Sequence, residues 1–168
     1  FQFYHKMYGL KITDLHQGVV WGTNTEETNQ HPDLVNRYDY DGDYGTVLNR
    51  FIMQSAFNYP LTINGKGQQV RPFININNTA DCILLACEDR KKFNEVKIYN
   101  QLTETFKLID LAKKIKKITN CKISYQKNPR IESESNTLIA KPVGLIELGL
   151  KPIPLSDDLI KKEIEVAK

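Results

Sequence analysis

Apolar positions along this chain follow two rhythms, one helical and one extended, interrupted by Gly, Pro and Asn. Residues 46–57 carry Val47, Leu48, Phe51, Ile52 and Ser55 on one face, which predicts a helix stopped by Pro60. Residues 104–118 align Leu108, Leu111, Ala112, Ile115 and Ile118 in one stripe and predict a second. Thr79 is a predicted cap for a helix over 79–89 with Ile83, Leu84 and Cys87 inward. Residues 139–148 and 157–167 predict two more; Ser156 caps the last, and Asp157 and Asp158 suit its positive end. Strands are predicted over 11–20, which ends in Val-Val-Trp-Gly, and over 61–64, 69–76, 96–100 and 123–126. Gly65-Lys66-Gly67 predicts a glycine turn that joins two of them as a hairpin. The order of elements is mixed α/β, with no internal repeat.

Residues 22–45 break both rhythms. The stretch is polar and long, yet it holds Arg37, Tyr38, Tyr40 and Tyr44. Loops of this length are functional or disordered, and the tyrosines favour an ordered one.

Composition narrows the classes. The 168 residues, 40% hydrophobic and 26% charged, suit one globular unit. The mean hydropathy is −0.44, and no apolar run approaches the roughly 18 residues of a spanning helix, so membrane insertion is not expected. A net charge of +3 is too mild to imply nucleic acid. Lys113, Lys114, Lys116 and Lys117 read as a solvated helix face without the interleaved aromatics of a nucleic-acid site. Cys82, Cys87 and Cys121 are an odd set without a CxxC pair, which reads as reduced thiols. His5, His16 and His31 lack metal-pair spacing, so no metal is assigned. The chain opens at Phe1 without a targeting pattern, in mid-pattern, which predicts a piece of something longer.

Three polar residues stand out as candidates. Arg71 follows the glycine turn and can offer two parallel hydrogen bonds to a phosphate. Arg130 leaves a segment stiffened by Pro129, and the two arginines could clamp a diphosphate. Read locally, each is better explained as a solvated surface arginine. Gln17 ends a buried-looking strand; it could hold a ligand hydroxyl or be a satisfied internal amide. No glycine-rich dinucleotide fingerprint occurs, and no tyrosine has a lysine four positions on.

The segment Thr13-Asp14-Leu15-His16-Gln17-Gly18-Val19-Val20-Trp21-Gly22 resembles the strand after the catalytic helix of extended short-chain dehydrogenases that act on nucleotide sugars. Leu61-Thr62-Ile63-Asn64-Gly65-Lys66-Gly67 through Arg71 resembles their nucleotide-covering hairpin. The long loop is more specific. His31-Pro32-Asp33-Leu34-Val35-Asn36-Arg37-Tyr38-Asp39-Tyr40-Asp41-Gly42, with Leu48-Asn49-Arg50-Phe51, resembles the UDP-sulfoquinovose synthase family. So do Tyr99-Asn100-Gln101-Leu102-Thr103-Glu104, Asn128-Pro129-Arg130-Ile131-Glu132 and Leu145-Ile146-Glu147-Leu148-Gly149-Leu150.

That resemblance implies an α/β fold: the C-terminal part of an extended short-chain dehydrogenase, with the last Rossmann strands and a mixed α/β substrate lobe over residues 1–168. It implies NAD as cofactor, with UDP-glucose and sulfite as substrates, for sulfolipid or sulfosugar synthesis. Gln17 would contact the sugar and Val20 the nicotinamide site. Val47, Thr62, Ile63 and Asn64 would hold the uridine; Gln69, Arg71 and Arg130 would hold the nucleotide and its diphosphate. The catalytic Tyr-x-x-x-Lys pair, threonine and glycine loop would lie upstream, so the 168 residues alone are expected to be inactive. The tyrosine-rich loop would be a lid that excludes water. A homodimer is implied for the full enzyme, in the cytoplasm or, in a photosynthetic eukaryote, the plastid stroma. Two alternatives stay open: a generic nucleotide-sugar epimerase or dehydratase, and a detached UDP-sugar-binding module. Departures from the family pattern are Pro72 for Gly, Asn75 and Asn78 for acids, Asn77 for Arg, and Ser135-Asn136 for Glu-His.

Overall fold

A computed structural model describes residues 1–39, 41, 45–89 and 94–168. Helix α1 (Gln2–Tyr8) precedes strands β1 (Thr13–Gln17) and β2 (Val19–Trp21). After two 3₁₀ turns come α2 (Val47–Ala56), β3 (Leu61–Asn64), β4 (Val70–Asn75) and α3 (Ile76–Glu88). Then follow β5 (Lys97–Gln101), β6 (Glu104–Lys107), α4 (Leu108–Thr119), β7 (Ile123–Gln126), α5 (Val143–Glu147) and α6 (Asp157–Val166). Among the described residues, no helix is long and apolar enough to cross a membrane.

The strands form three small sheets. β1 pairs in parallel with β5, and β3 in parallel with β7. β4 lies between a parallel β2 and an antiparallel β6. Alternation along β4 separates two cores. Phe73 packs into the larger one, with Trp21, Leu48, Phe51, Ile52, Ile115 and Ile160. Ile74 packs into the smaller one, with Cys82, Leu145 and Leu150.

The expected strand over 11–20 is two strands parted at Gly18. A side chain there would meet the Pro72 carbonyl at 3.1 Å, a tight contact that favours glycine where the chain crosses from one sheet to the next. The expected hairpin is not one. β3 and β4 flank the glycine turn but join different sheets, because Gly67 packs against Ile63 and the start of α4. The helix expected over 104–118 starts only at Leu108, since Glu104–Lys107 completes the sheet as β6. α3 starts three residues before its expected cap: Asn75 Oδ1 accepts from the Asn77 N–H at 2.9 Å. Its inward face carries Asn78 and Cys82, whereas Ile83, Leu84 and Cys87 are exposed. α5 is shorter than the 139–148 expectation and begins after Pro142. α6 and its Ser156 cap lie where expected; Ser156 accepts from the Leu159 N–H at 3.2 Å.

Two of the departures from the family pattern have structural roles. Asn75 caps α3 as an aspartate could. Asn78 is fully buried; its Oδ1 accepts from the Ile153 N–H at 2.6 Å and its amide donates to the Lys151 carbonyl at 3.0 Å. Only an amide serves both partners, because an ionised acid cannot donate.

The described part of the long loop is held by two contacts. The Asn36 N–H donates to the Thr23 carbonyl at 2.8 Å. Tyr38 enters the larger core, and its hydroxyl donates to the buried Glu163 carboxylate on α6. Burial first, then Glu163, pushes the Tyr38 phenol up, so it stays protonated and donating. Tyr40 and Tyr44 lie outside the described residues.

Two variants test this packing in urea denaturation. Tyr38→Phe leaves Glu163 without its donor and costs about 1–3 kcal/mol. Adding Glu163→Leu gives a loss smaller than the sum of the single losses, as coupled neighbours do. Gly67→Ala, at φ +69° and with Ile63 Cγ2 only 2.8 Å from the new methyl, costs about 1–3 kcal/mol.

Candidate functional site

Helix α2 builds one wall of the site. Leu48, Phe51, Ile52 and Ser55 turn one side into the core. Thr46, Val47, Arg50 and Phe51 therefore line a cavity of about 370 Å³, within the usual range of ligand pockets. The opposite walls come from Ile63 and Asn64 of β3, Arg71 of β4, Leu108 of α4 and residues 128–132. Strand pairing explains this convergence. β3 lies along β7 with Asn64 opposite Gln126, so Asn128, Pro129 and Arg130 emerge beside the end of β3. The Gly65 N–H donates to the Gln126 carbonyl at 2.8 Å.

The structure thus brings Val47, Ile63, Asn64, Arg71 and Arg130 to one cavity. Gln69 is buried beside it; its amide reaches Glu132 at 3.5 Å and its Oε1 has no partner among the described residues. Thr62 does not line the cavity. Its hydroxyl accepts from Gln54 at 2.7 Å and its N–H donates to Gln54 Oε1 at 3.0 Å, which ties β3 to α2. Gln17 and Val20 stand apart. Gln17 is exposed at the end of β1, and Val20 packs against the smaller core.

Three side chains on the walls were not singled out from sequence. Glu132 pairs with Arg71 at 2.6 Å and accepts from Asn128 at 3.0 Å. Asn128, then the guanidinium groups of Arg71 and Arg130, hold its carboxyl below the usual carboxylate range. The Arg130 N–H donates to Asn128 Oδ1 at 3.1 Å, fixing the backbone before the arginine. Arg50 is half-buried, and its Nη2 donates to the Thr62 carbonyl at 3.3 Å. Its signal in the sequence was a cation beside the apolar stripe of a helix. For Glu132 it was an acid two residues after Arg130.

The charge balance favours an anion. The lining holds three guanidinium groups, Arg50, Arg71 and Arg130, against the single carboxylate of Glu132. Thr46 stands at the helix cap but its Oγ1 makes no capping bond, and it is buried without a partner among the described residues. Larger clefts among the described residues, of about 700, 780 and 470 Å³, gather no comparable set of cations.

Residues 4–100 match the sequence model of the NAD dependent epimerase/dehydratase family. The chain belongs to that family. It is 43% identical over 167 residues to the chloroplastic UDP-sulfoquinovose synthase of Spinacia oleracea, covering 96% of this chain and 35% of that protein. It is 34% identical over 154 residues to the UDP-sulfoquinovose synthase of Sulfolobus acidocaldarius, covering 89% of this chain and 39% of that one. This NAD dependent epimerase/dehydratase family member thus spans little more than a third of those relatives. Its fold is that of UDP-sugar epimerases. The Thermotoga maritima UDP-glucose 4-epimerase, solved with UDP-glucose, superposes with a TM-score of 0.73 at 23% identity over 97% of this chain and 48% of the other. The Bacillus cereus UDP-glucuronic acid 4-epimerase, solved with UDP-glucuronic acid and NAD, gives 0.72 at 22% identity over 98% and 48%.

Glu132 and an incoming anion compete for Arg71. Glu132→Gln is expected to tighten inorganic pyrophosphate binding by roughly threefold to tenfold in titration calorimetry, because the internal counter-charge is gone.

Proposed function

We propose that this chain supplies the UDP-sugar-binding part of an NAD-dependent UDP-sulfoquinovose synthase. The observation that carries the reading is the meeting of Arg71 and Arg130, 59 residues apart, at one cavity with the start of α2. Two guanidinium groups facing one cavity complement a diphosphate. The 43% identity over nearly the whole chain, the long loop included, supports this particular family member.

In this reading Arg71 and Arg130 hold the diphosphate, and Glu132 gives up its hold on Arg71 as the phosphates arrive. Val47, Ile63 and Asn64 flank the uridine, and Gln69 offers its free carbonyl oxygen to the nucleotide. Gln17 contacts the sugar from the end of β1. NAD, when bound, would supply the hydride acceptor and donor for the sugar. Val20, the residue assigned to that side, packs against the smaller core. The work of these residues is therefore binding and orientation. The glycine loop, the Tyr-x-x-x-Lys pair and the threonine are assigned outside the 168 residues.

The reaction consumes UDP-glucose and sulfite and yields UDP-sulfoquinovose and water. Mass spectrometry of the products from the complete enzyme tests it. A product heavier by SO₂ than UDP-glucose is expected (sulfite in, water out). Formation of UDP-galactose without sulfite uptake would instead make it an epimerase, the activity named for its structural neighbours. The 168 residues alone are expected to bind UDP without turnover. Arg71→Ala and Arg130→Ala each weaken UDP binding by about tenfold or more, as loss of a charge-assisted pair does.

A further inference from the structure

Of the three arginines on the cavity wall, Arg71 pairs with Glu132, and Arg130 is assigned to the diphosphate in the reading above; Arg50 has neither assignment. Among the described residues it forms no ion pair. Among those residues its Nε is buried without a partner, and its one hydrogen bond goes from Nη2 to the Thr62 carbonyl. Burial pulls its pKa down from the ordinary value. A half-buried guanidinium with one carbonyl partner keeps donors to spare, and a ligand in the cavity can supply acceptors for them.

Its place in the fold tells which part of a ligand it meets. The Arg71–Glu132 pair and the Asn128-Pro129-Arg130 segment gather past the end of β3, where Gly65 packs on Asn128. Thr62, which Arg50 touches, lies two residues back along the strand, about 7 Å from Asn64. Arg50 also lines a second cleft with Met53, Gln54, Phe57 and Tyr59, which the other arginines do not reach. It is therefore at the far end of the cavity from the diphosphate clamp. Phe51 lies under its guanidinium, 5.9 Å from ring centre to Cζ, and limits its swing.

We propose that Arg50 reads the base, donating to the C4 carbonyl of uracil and so selecting uridine nucleotides over cytidine nucleotides. This rests on the UDP-sugar reading above. In a nucleotide whose phosphates lie at Arg71 and Arg130, the base edge farthest from the ribose carries C4. Uracil presents a carbonyl acceptor there. Cytosine presents an amine, a donor that meets the cationic donors of Arg50 without a hydrogen bond and leaves both groups unsatisfied.

The test is titration calorimetry of the protein and of Arg50→Lys and Arg50→Met with UDP, CDP and inorganic pyrophosphate. The wild-type protein is expected to bind UDP about tenfold or more tightly than CDP, a ratio of the size that a satisfied hydrogen bond commands. Arg50→Lys keeps the charge and the stem but not the flat donor array, and is expected to bring the two affinities within about threefold. Arg50→Met is expected to weaken UDP while pyrophosphate binding stays within about twofold. A UDP/CDP ratio that survives in Arg50→Lys overturns the inference. So does an equal loss of UDP and pyrophosphate in Arg50→Met that lysine restores, since that places the cation on phosphate. A wild-type protein that binds neither UDP nor pyrophosphate instead removes the nucleotide reading of the whole cavity, and the inference with it.

Discussion

Gly67 has no room for a side chain. A methyl there would stand 2.8 Å from Ile63 and 3.2 Å from the backbone nitrogen of Ile109, and that nitrogen donates to the Gly67 carbonyl at 2.9 Å. This close approach fixes the start of α4 against the end of β3. It also turns the chain away from a hairpin, so that β3 runs with β7 and β4 runs between β2 and β6. The cavity is the space left between those two sheets, and it takes a wall from each. Without the divergence at this turn, Asn64 and Arg71 would lie on one ribbon, and residues 128–132 would have no place beside them.

The two halves of the site are stabilised differently. The α2 side is held by packing: Leu48, Phe51 and Ile52 are fully buried, and Gln54 clasps Thr62 through both its amide atoms. The 128–136 side is held by polar contacts on the surface. Lys66 pairs with Glu134 at 2.6 Å, and Asn136 accepts from the Val70 N–H at 2.8 Å and donates to its carbonyl at 3.3 Å. Exposed ion pairs contribute little to stability, so this side can rearrange at small cost while α2 and β3 stay rigid. A ligand that takes Arg71 from Glu132 exchanges one charged partner for another. The rigid side positions the ligand; the polar side adapts to it.

Much of the architecture was legible in the chain. The α2 stripe, the β7 strand and the Ser156 cap followed from local spacing and local hydrogen bonding, which depend on near neighbours. The readings that failed were those decided by distant partners. Glu104–Lys107 has a helical neighbour on its C-terminal side, but antiparallel pairing with β4 makes it a strand. Ile83 and Leu84 suggested an inward face for α3, yet the buried Asn78, held by residues 151 and 153, turns the opposite side inward. The arginines were legible as residue types but not as a pair, because either one alone reads as a surface cation.

By itself the sequence determined the mixed α/β class, most of the elements, and a family pattern spread over nearly every segment. These depend on side-chain periodicity, on capping and turn chemistry, and on residue identities at short spacing. The tertiary structure alone decided that 61–64 and 70–75 belong to different sheets. It also decided that Arg71 and Arg130 share a cavity with Arg50 and Glu132, and that Gln17 and Val20 lie away from it. Those outcomes depend on which strands pair across some sixty residues, and on the tight packing at Gly18 and Gly67. Close approach of this kind is a property of the folded whole and leaves only a glycine as its trace in the chain.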